Sequence, residues 1–95
     1  MEQQNILDFI HRRFQQDNHW ADGNCYWAAF ILCTQFDLTI CYESGAGHFV
    51  AADLPRGRYY DAFGAYTPKY RPIPLENIME TDALWYASLM RCCRD

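Results

Sequence analysis

Cys25, His48 and Asp61 occur in that order along the chain, and together these residue types can break an acyl bond. Cys25 lies in Asp22-Gly23-Asn24-Cys25-Tyr26-Trp27-Ala28-Ala29, where a polar stretch with one glycine runs into apolar sequence. A thiol at neutral pH is mostly protonated, and the thiolate is the nucleophile. A helix start favours the thiolate through the positive end of the macrodipole and through backbone N–H groups that have no intrahelical partner. A neighbouring imidazolium favours it further by charge pairing. The same N–H groups can donate to the oxyanion formed when a thiolate attacks a carbonyl. A carboxylate on the second imidazole nitrogen would set the tautomer and orientation of the histidine.

The elements that must position these groups can be read from periodicity. Ile6, Leu7, Phe9, Ile10 and Phe14 recur at helical spacing, which predicts an amphipathic helix over residues 3 to 16. Residues 15 to 24 are polar and end in Asp22-Gly23-Asn24, a loop able to stop one helix and cap the next. From Cys25 to Phe36 nearly every residue is apolar, Thr34 and Gln35 aside, as expected of a buried, central helix. Leu38 to Glu43 alternates and is rich in β-formers, and Ser44-Gly45-Ala46-Gly47 is a turn. His48 to Ala52 and Arg58 to Phe63 read as an antiparallel hairpin around residues 53 to 57. Pro68, Pro72 and Pro74 break the next stretch, Pro74 marks the start of a short helix over Leu75 to Glu80, and Ala83 to Cys93 fits a closing helix or strand. This order predicts a single α+β domain over residues 1 to 95, with a nucleophile helix packed on a small antiparallel sheet.

Whether the hairpin unites His48 with Asp61 depends on its register. A four-residue loop over Asp53 to Arg56 pairs Ala52 with Gly57 and sets His48 directly opposite Asp61, with Cβ atoms about 5 Å apart. A two-residue loop at Arg56-Gly57 offsets them by four residues, roughly 13 Å along the strand. Both registers are open to the sequence.

Composition narrows the classes of function. With 95 residues, 51% hydrophobic and 17% aromatic, the chain can bury one small core. A formal charge of -4 argues against a nucleic-acid partner, since the runs His11-Arg12-Arg13 and Lys69-Tyr70-Arg71 are too short to make a basic surface. No stretch approaches the ~20 apolar residues of a membrane span. The polar start Met1-Glu2-Gln3-Gln4-Asn5 predicts no cleavable export signal, hence a cytoplasmic protein or one delivered without such a signal. Five cysteines is an odd count, which suits thiols in a reducing compartment.

Gly23-Asn24-Cys25-Tyr26-Trp27-Ala28-Ala29, Gly47-His48-Phe49-Val50-Ala51 and Tyr59-Tyr60-Asp61-Ala62-Phe63-Gly64 together resemble the papain-like cysteine peptidase superfamily. The likeness is greatest to its minimal bacterial or phage-type and transglutaminase-like branches, and it spans residues 22 to 64. The resemblance implies a papain-like core with Cys25 as nucleophile, His48 as general base and acid, and Asp61 as orienting carboxylate. Papain-type enzymes often carry a glutamine oxyanion donor about six residues before the nucleophile; here that position holds His19, leaving Gln16, Asn18, His19 and Asn24 as candidates. Trp20 and Trp27 are candidates for lining a substrate groove. The expected activity is a thiol-dependent hydrolase or acyltransferase acting on a peptide or amide bond through a Cys25 thioester, with no metal or organic cofactor. The substrate would be a peptide, a protein or a small amide, with a host or partner protein as a possible target. The alternative is an inactive papain-like fold that serves as a protein-binding inhibitor or regulator.

Other reactive residues fit plainer roles. Cys33 and Cys41 suit core packing or exposed bystander positions, and the vicinal Cys92-Cys93 lacks the close Cys-x₂-Cys spacing of a zinc site. His11 lies on a basic, solvated helix face. Asp53 competes with Asp61 as the acid, but beside Leu54-Pro55 it suits turn chemistry. Gly45-Ala46-Gly47 has no following lysine to make a phosphate loop; its glycines would let the backbone pass close to the Cys25 helix.

Overall fold

The computed structural model describes residues 2–14 and 25–94. Helix α1 (Glu2–Phe14) turns Ile6, Ile10 and Phe14, one helical face, into the core. Helix α2 (Cys25–Gln35) buries Ala28, Ala29 and Leu32. Strands β1 (Thr39–Glu43), β2 (His48–Asp53), β3 (Arg58–Asp61), β4 (Gly64–Tyr66) and β5 (Ile73–Pro74) follow, then helices α3 (Leu75–Thr81) and α4 (Ala83–Arg94). The strands form one antiparallel sheet in the order β4-β3-β2-β1-β5. The protein is therefore α+β, a helical layer on a small antiparallel sheet. No helix among the described residues is long and apolar enough to cross a membrane.

One sheet face meets the helices. Ala51, Tyr60 and Ala62 pack with α1 and α2, and Phe49 packs with Ala29, Leu75, Ile78, Leu89 and Met90. The small side chains of Ala28 and Ala29 on α2 and of Ala51 on β2 let helix and strand approach closely. The other face carries Cys41, Val50 and Ala52, flanked by Tyr59 and Tyr66.

Topology explains what covers that second face. β4 and β5 are neighbours in sequence but lie on opposite edges of the sheet, four strand spacings or about 19 Å apart if flat. Residues 67–72 have little slack over that span, since the steps from Tyr66 to Ile73 reach about 24 Å at most. The connection accordingly crosses the second face, where Pro72 is buried and Glu43 accepts from the Lys69 N–H at 2.7 Å and the Tyr70 N–H at 2.9 Å.

Several sequence expectations are corrected. β3 ends at Asp61 rather than Phe63, because the Asp61 carboxylate accepts the Phe63 N–H at 2.9 Å and closes a turn, from which β4 leaves at Gly64 (φ 126°). The hairpin loop is Leu54–Gly57, with Asp53 opposite Arg58. That register lies midway between the two considered from sequence. Asp53 ties its own loop through the Arg56 guanidinium at 3.2 Å, and Gly57 supplies the left-handed conformation (φ 65°) that closes it. The segment 83–93, open between helix and strand, is helical, with the Asp82 carboxylate accepting the Trp85 N–H at 3.1 Å as an N-cap. α2 is not enclosed on all sides: Phe30 is 44% exposed, stacks with Tyr26 and meets Trp27 edge-on, because so small a domain cannot cover every face of an apolar helix.

Candidate active site

α2 begins beside the start of β2, and this brings the thiol to the histidine. Cys25 is the first residue of the helix, so its own N–H has no partner within the helix and faces Sγ. No acidic side chain in the first turn offsets the positive helix end. Phe49, buried between Tyr26 and Tyr42, fixes the start of β2, and its backbone N–H also donates to Sγ. His48 hydrogen-bonds the thiol directly.

Asp61 completes the arrangement from β3. Extending the observed register by one residue sets Asp61 opposite Val50, so His48 and Asp61 form a diagonal pair on one face rather than the directly opposed pair considered from sequence. The offset is even, which keeps both side chains on the same face, and a diagonal is within reach of a long ring side chain. His48 Nε2 lies 3.1 Å from Asp61 Oδ2, leaving Nδ1 for the thiol. Asp61 Oδ1 is held by the Phe63 N–H, so the turn that ends β3 also orients the carboxylate.

The electrostatics follow from these contacts. The Asp61 bond, then the Cys25 bond, outweigh burial and raise His48 from its ordinary 6.5 to about 9. Burial alone would raise the Cys25 thiol, but the His48 bond, the Phe49 N–H and the imidazolium charge together hold it below its ordinary value. Burial pushes Cys33 up to about 12 and Cys41 up to about 11. Among these three thiols only Cys25 sits in surroundings that favour thiolate, and it is partly accessible.

Sequence reasoning overlooked Glu43. Its side chain is fully buried and pairs across β1–β2 with His48. Besides the Lys69 and Tyr70 N–H groups it accepts the Tyr66 hydroxyl at 2.5 Å. Burial would raise its carboxyl; the Tyr66, Tyr70 and Lys69 bonds outweigh that and hold it below the usual carboxylate value. The Tyr66 ring meets the His48 ring edge-on at 4.9 Å. A glutamate directly across a strand turn from the candidate base was the signal available in Glu43-Ser44-Gly45-Ala46-Gly47-His48.

The remaining candidates are placed less closely. Trp27 is half-buried one residue beyond Tyr26, against whose ring it packs at 5.1 Å. Gln16, Asn18, His19, Trp20 and Asn24 lie outside the described residues. The close neighbour of Gly45 is the 67–72 crossing, since a Cβ there would run into the Tyr70 ring. A cleft of about 490 Å³ opens between Leu54, Tyr59 and Arg71, and none of Cys25, His48 or Asp61 lines it. Among the described residues no group of three or more His, Cys, Asp and Glu is placed to hold a metal ion.

Comparison with known proteins finds no matching family model, no matching curated relative and no matching solved structure.

Proposed function

We propose that the protein is a thiol-dependent hydrolase or acyltransferase acting on a peptide or amide carbonyl. The observation that carries this reading is the continuous contact from the Cys25 thiol through His48 to Asp61, with the thiol at a helix start. In the resting site His48 holds the proton and Cys25 the charge. The thiolate attacks the carbonyl carbon, the carbonyl π pair moves to oxygen, and helix-start N–H groups stabilise that oxyanion. As the intermediate collapses, the C–N bond breaks and His48 gives its proton to the leaving amine, leaving a thioester on Cys25. Water or a second amine then attacks the thioester, giving its proton to His48, and the thiolate departs. Asp61 keeps the imidazole oriented and stabilises its charged form throughout. The resemblance to papain-like peptidases supports the same assignment of roles, and a cytoplasmic setting would keep the thiol reduced.

The test is the pH dependence of Cys25 alkylation by iodoacetamide, with the modified residue identified by mass spectrometry. Wild-type Cys25 should react selectively with an apparent pKa below its ordinary 9.0, and His48→Ala should abolish that advantage. Reaction of Cys25 no faster than Cys33 would overturn the proposal and favour a binding or regulatory role for the same fold.

A further inference from the structure

The catalytic reading uses Cys25, His48 and Asp61 but leaves a second buried carboxylate unexplained. Glu43 is 0% exposed, and its three hydrogen-bond donors come from two parts of the chain, Tyr66 on β4 and the Lys69 and Tyr70 N–H groups of the crossing. Burying a charged group is costly unless it is fully bonded, and a neutral amide could receive those N–H groups without that cost. A charge at this position therefore calls for a reason beyond the loop. Register supplies one, because Glu43 is the direct cross-strand partner of His48. Tyr66 supplies another: the side chain that donates to Glu43 also packs its ring against the imidazole, at 4.9 Å and 62° between planes.

We propose that Glu43, acting through Tyr66, is a positioning residue for His48, holding the imidazole in the orientation that meets Cys25 and Asp61 together; the inference rests on the catalytic role proposed for His48. The Tyr66 hydroxyl is tethered by the carboxylate, which holds its ring against the imidazole. Among the described residues the ionisable groups facing His48 are Cys25 from α2, Asp61 from β3, Glu43 from β1 and Tyr66 from β4. Glu43 in turn faces His48, Tyr66 and two backbone N–H groups. Its negative charge lies on the β1 side of the imidazole, so it also favours the imidazolium form. The crossing segment thereby becomes part of the site: by donating to Glu43 it holds the carboxylate in place.

Two variants of the full chain test this, Glu43→Gln and Tyr66→Phe. The His48 ring titration is read by NMR and the pH profile of Cys25 alkylation by mass spectrometry. Cys41, fully buried, serves as the reporter of loosened structure. Glu43→Gln should lower the His48 midpoint by roughly 0.5–1 unit and raise the apparent pKa of Cys25 correspondingly. Tyr66→Phe keeps the ring and the carboxylate but cuts the bond between them, and should shift both in the same direction by less. Wild-type midpoints in variants whose Cys41 stays protected would overturn the proposal and leave Glu43 as an anchor for the crossing. If Glu43→Gln fails to fold, Tyr66→Phe decides the matter alone. An ordinary Cys25 pKa in the wild type would defeat the catalytic reading instead, while the His48 titration would still show whether Glu43 acts on the ring.

Discussion

Cys25 differs from Cys33 in its surroundings, not in its chemistry. Both thiols are partly buried, and burial raises a thiol pKa; only Cys25 has an imidazole and two backbone N–H groups to reverse that effect. The imidazole depends in turn on Asp61, whose bond is the foremost cause of its rise to about 9. Asp61→Asn keeps an acceptor for the Phe63 N–H but removes the charge. The His48 midpoint should then fall back toward 6.5. Each unit of rise in the Cys25 pKa should slow its alkylation near neutral pH by up to about tenfold. A second reading comes from anionic iodoacetate, which an imidazolium attracts. In the wild type its rate relative to iodoacetamide should drop as pH passes through about 9, and in Asp61→Asn the drop should move to lower pH. A rate ratio with the same pH dependence in both proteins would separate Asp61 from the charge state of His48. The three residue types and their order were legible in the sequence. Glu43 was not singled out, because its importance comes from its pairing with His48, which depends on the short turn at residues 44–47.

Elements bring these side chains together by simple means. Three small residues, Ala28, Ala29 and Ala51, allow α2 to lie close on β2, and this places the first residue of the helix beside the first residues of the strand. The 67–72 crossing is tied to β1 through Glu43 and rests its Tyr70 ring over Gly45. Gly45→Ala would drive a methyl into the base of that ring, which cannot yield by moving its tip alone. The expected result is a loss of about 1–3 kcal/mol, as for other overpacked sites, measured by denaturant unfolding. Gly57→Ala in the hairpin loop is the useful contrast: a Cβ there meets nothing within 4 Å, so its cost should come only from φ 65°. Equal unfolding midpoints for Gly45→Ala and the wild type would show that the crossing is not seated on the turn. Among elements, α1, α2, β1, β2 and α3 were legible from periodicity and turn residues. β4 and β5, only three and two residues long, are too short to show any period, and they exist because neighbouring strands supply their partners. The helical state of 83–93 had a signal in Asp82, an N-cap residue just before the apolar run, that periodicity alone passes over.

For the whole molecule, the titrating groups predict how stability varies with pH. The folded Glu43 carboxyl lies below its ordinary 4.5, so its contribution is present above that value and is lost as pH falls through the lower folded one. His48 is raised, so its contribution is complete below 6.5 and is lost as pH rises through about 9. Cys25 acts against His48 on the alkaline side, since a thiol held below its ordinary 9.0 adds stability that grows as pH approaches that value. Cys25→Ala removes this opposing group and leaves Asp61 to hold His48. In that variant the urea midpoint should be level between about 4.5 and 6.5 and should decline on both sides. A midpoint unchanged from 6.5 to 9 would show that the His48–Asp61 bond does not contribute to folding.

The sequence by itself determined the α+β class, the helix start at Cys25, the strand start at His48 and the chemical types available to the site. It did so because apolar periodicity and turn residues act over a few neighbours. Tertiary structure decided the rest. The register of β2 on β3 made His48 and Asp61 a diagonal pair. The opposite-edge placement of β4 and β5 drew residues 67–72 across the sheet and joined Glu43 and Tyr66 to the histidine. Two other registers fit the same local pattern, and the crossing depends on which strands are neighbours across the sheet. Those outcomes rest on pairings between distant segments, whose energy exists only after the chain has folded.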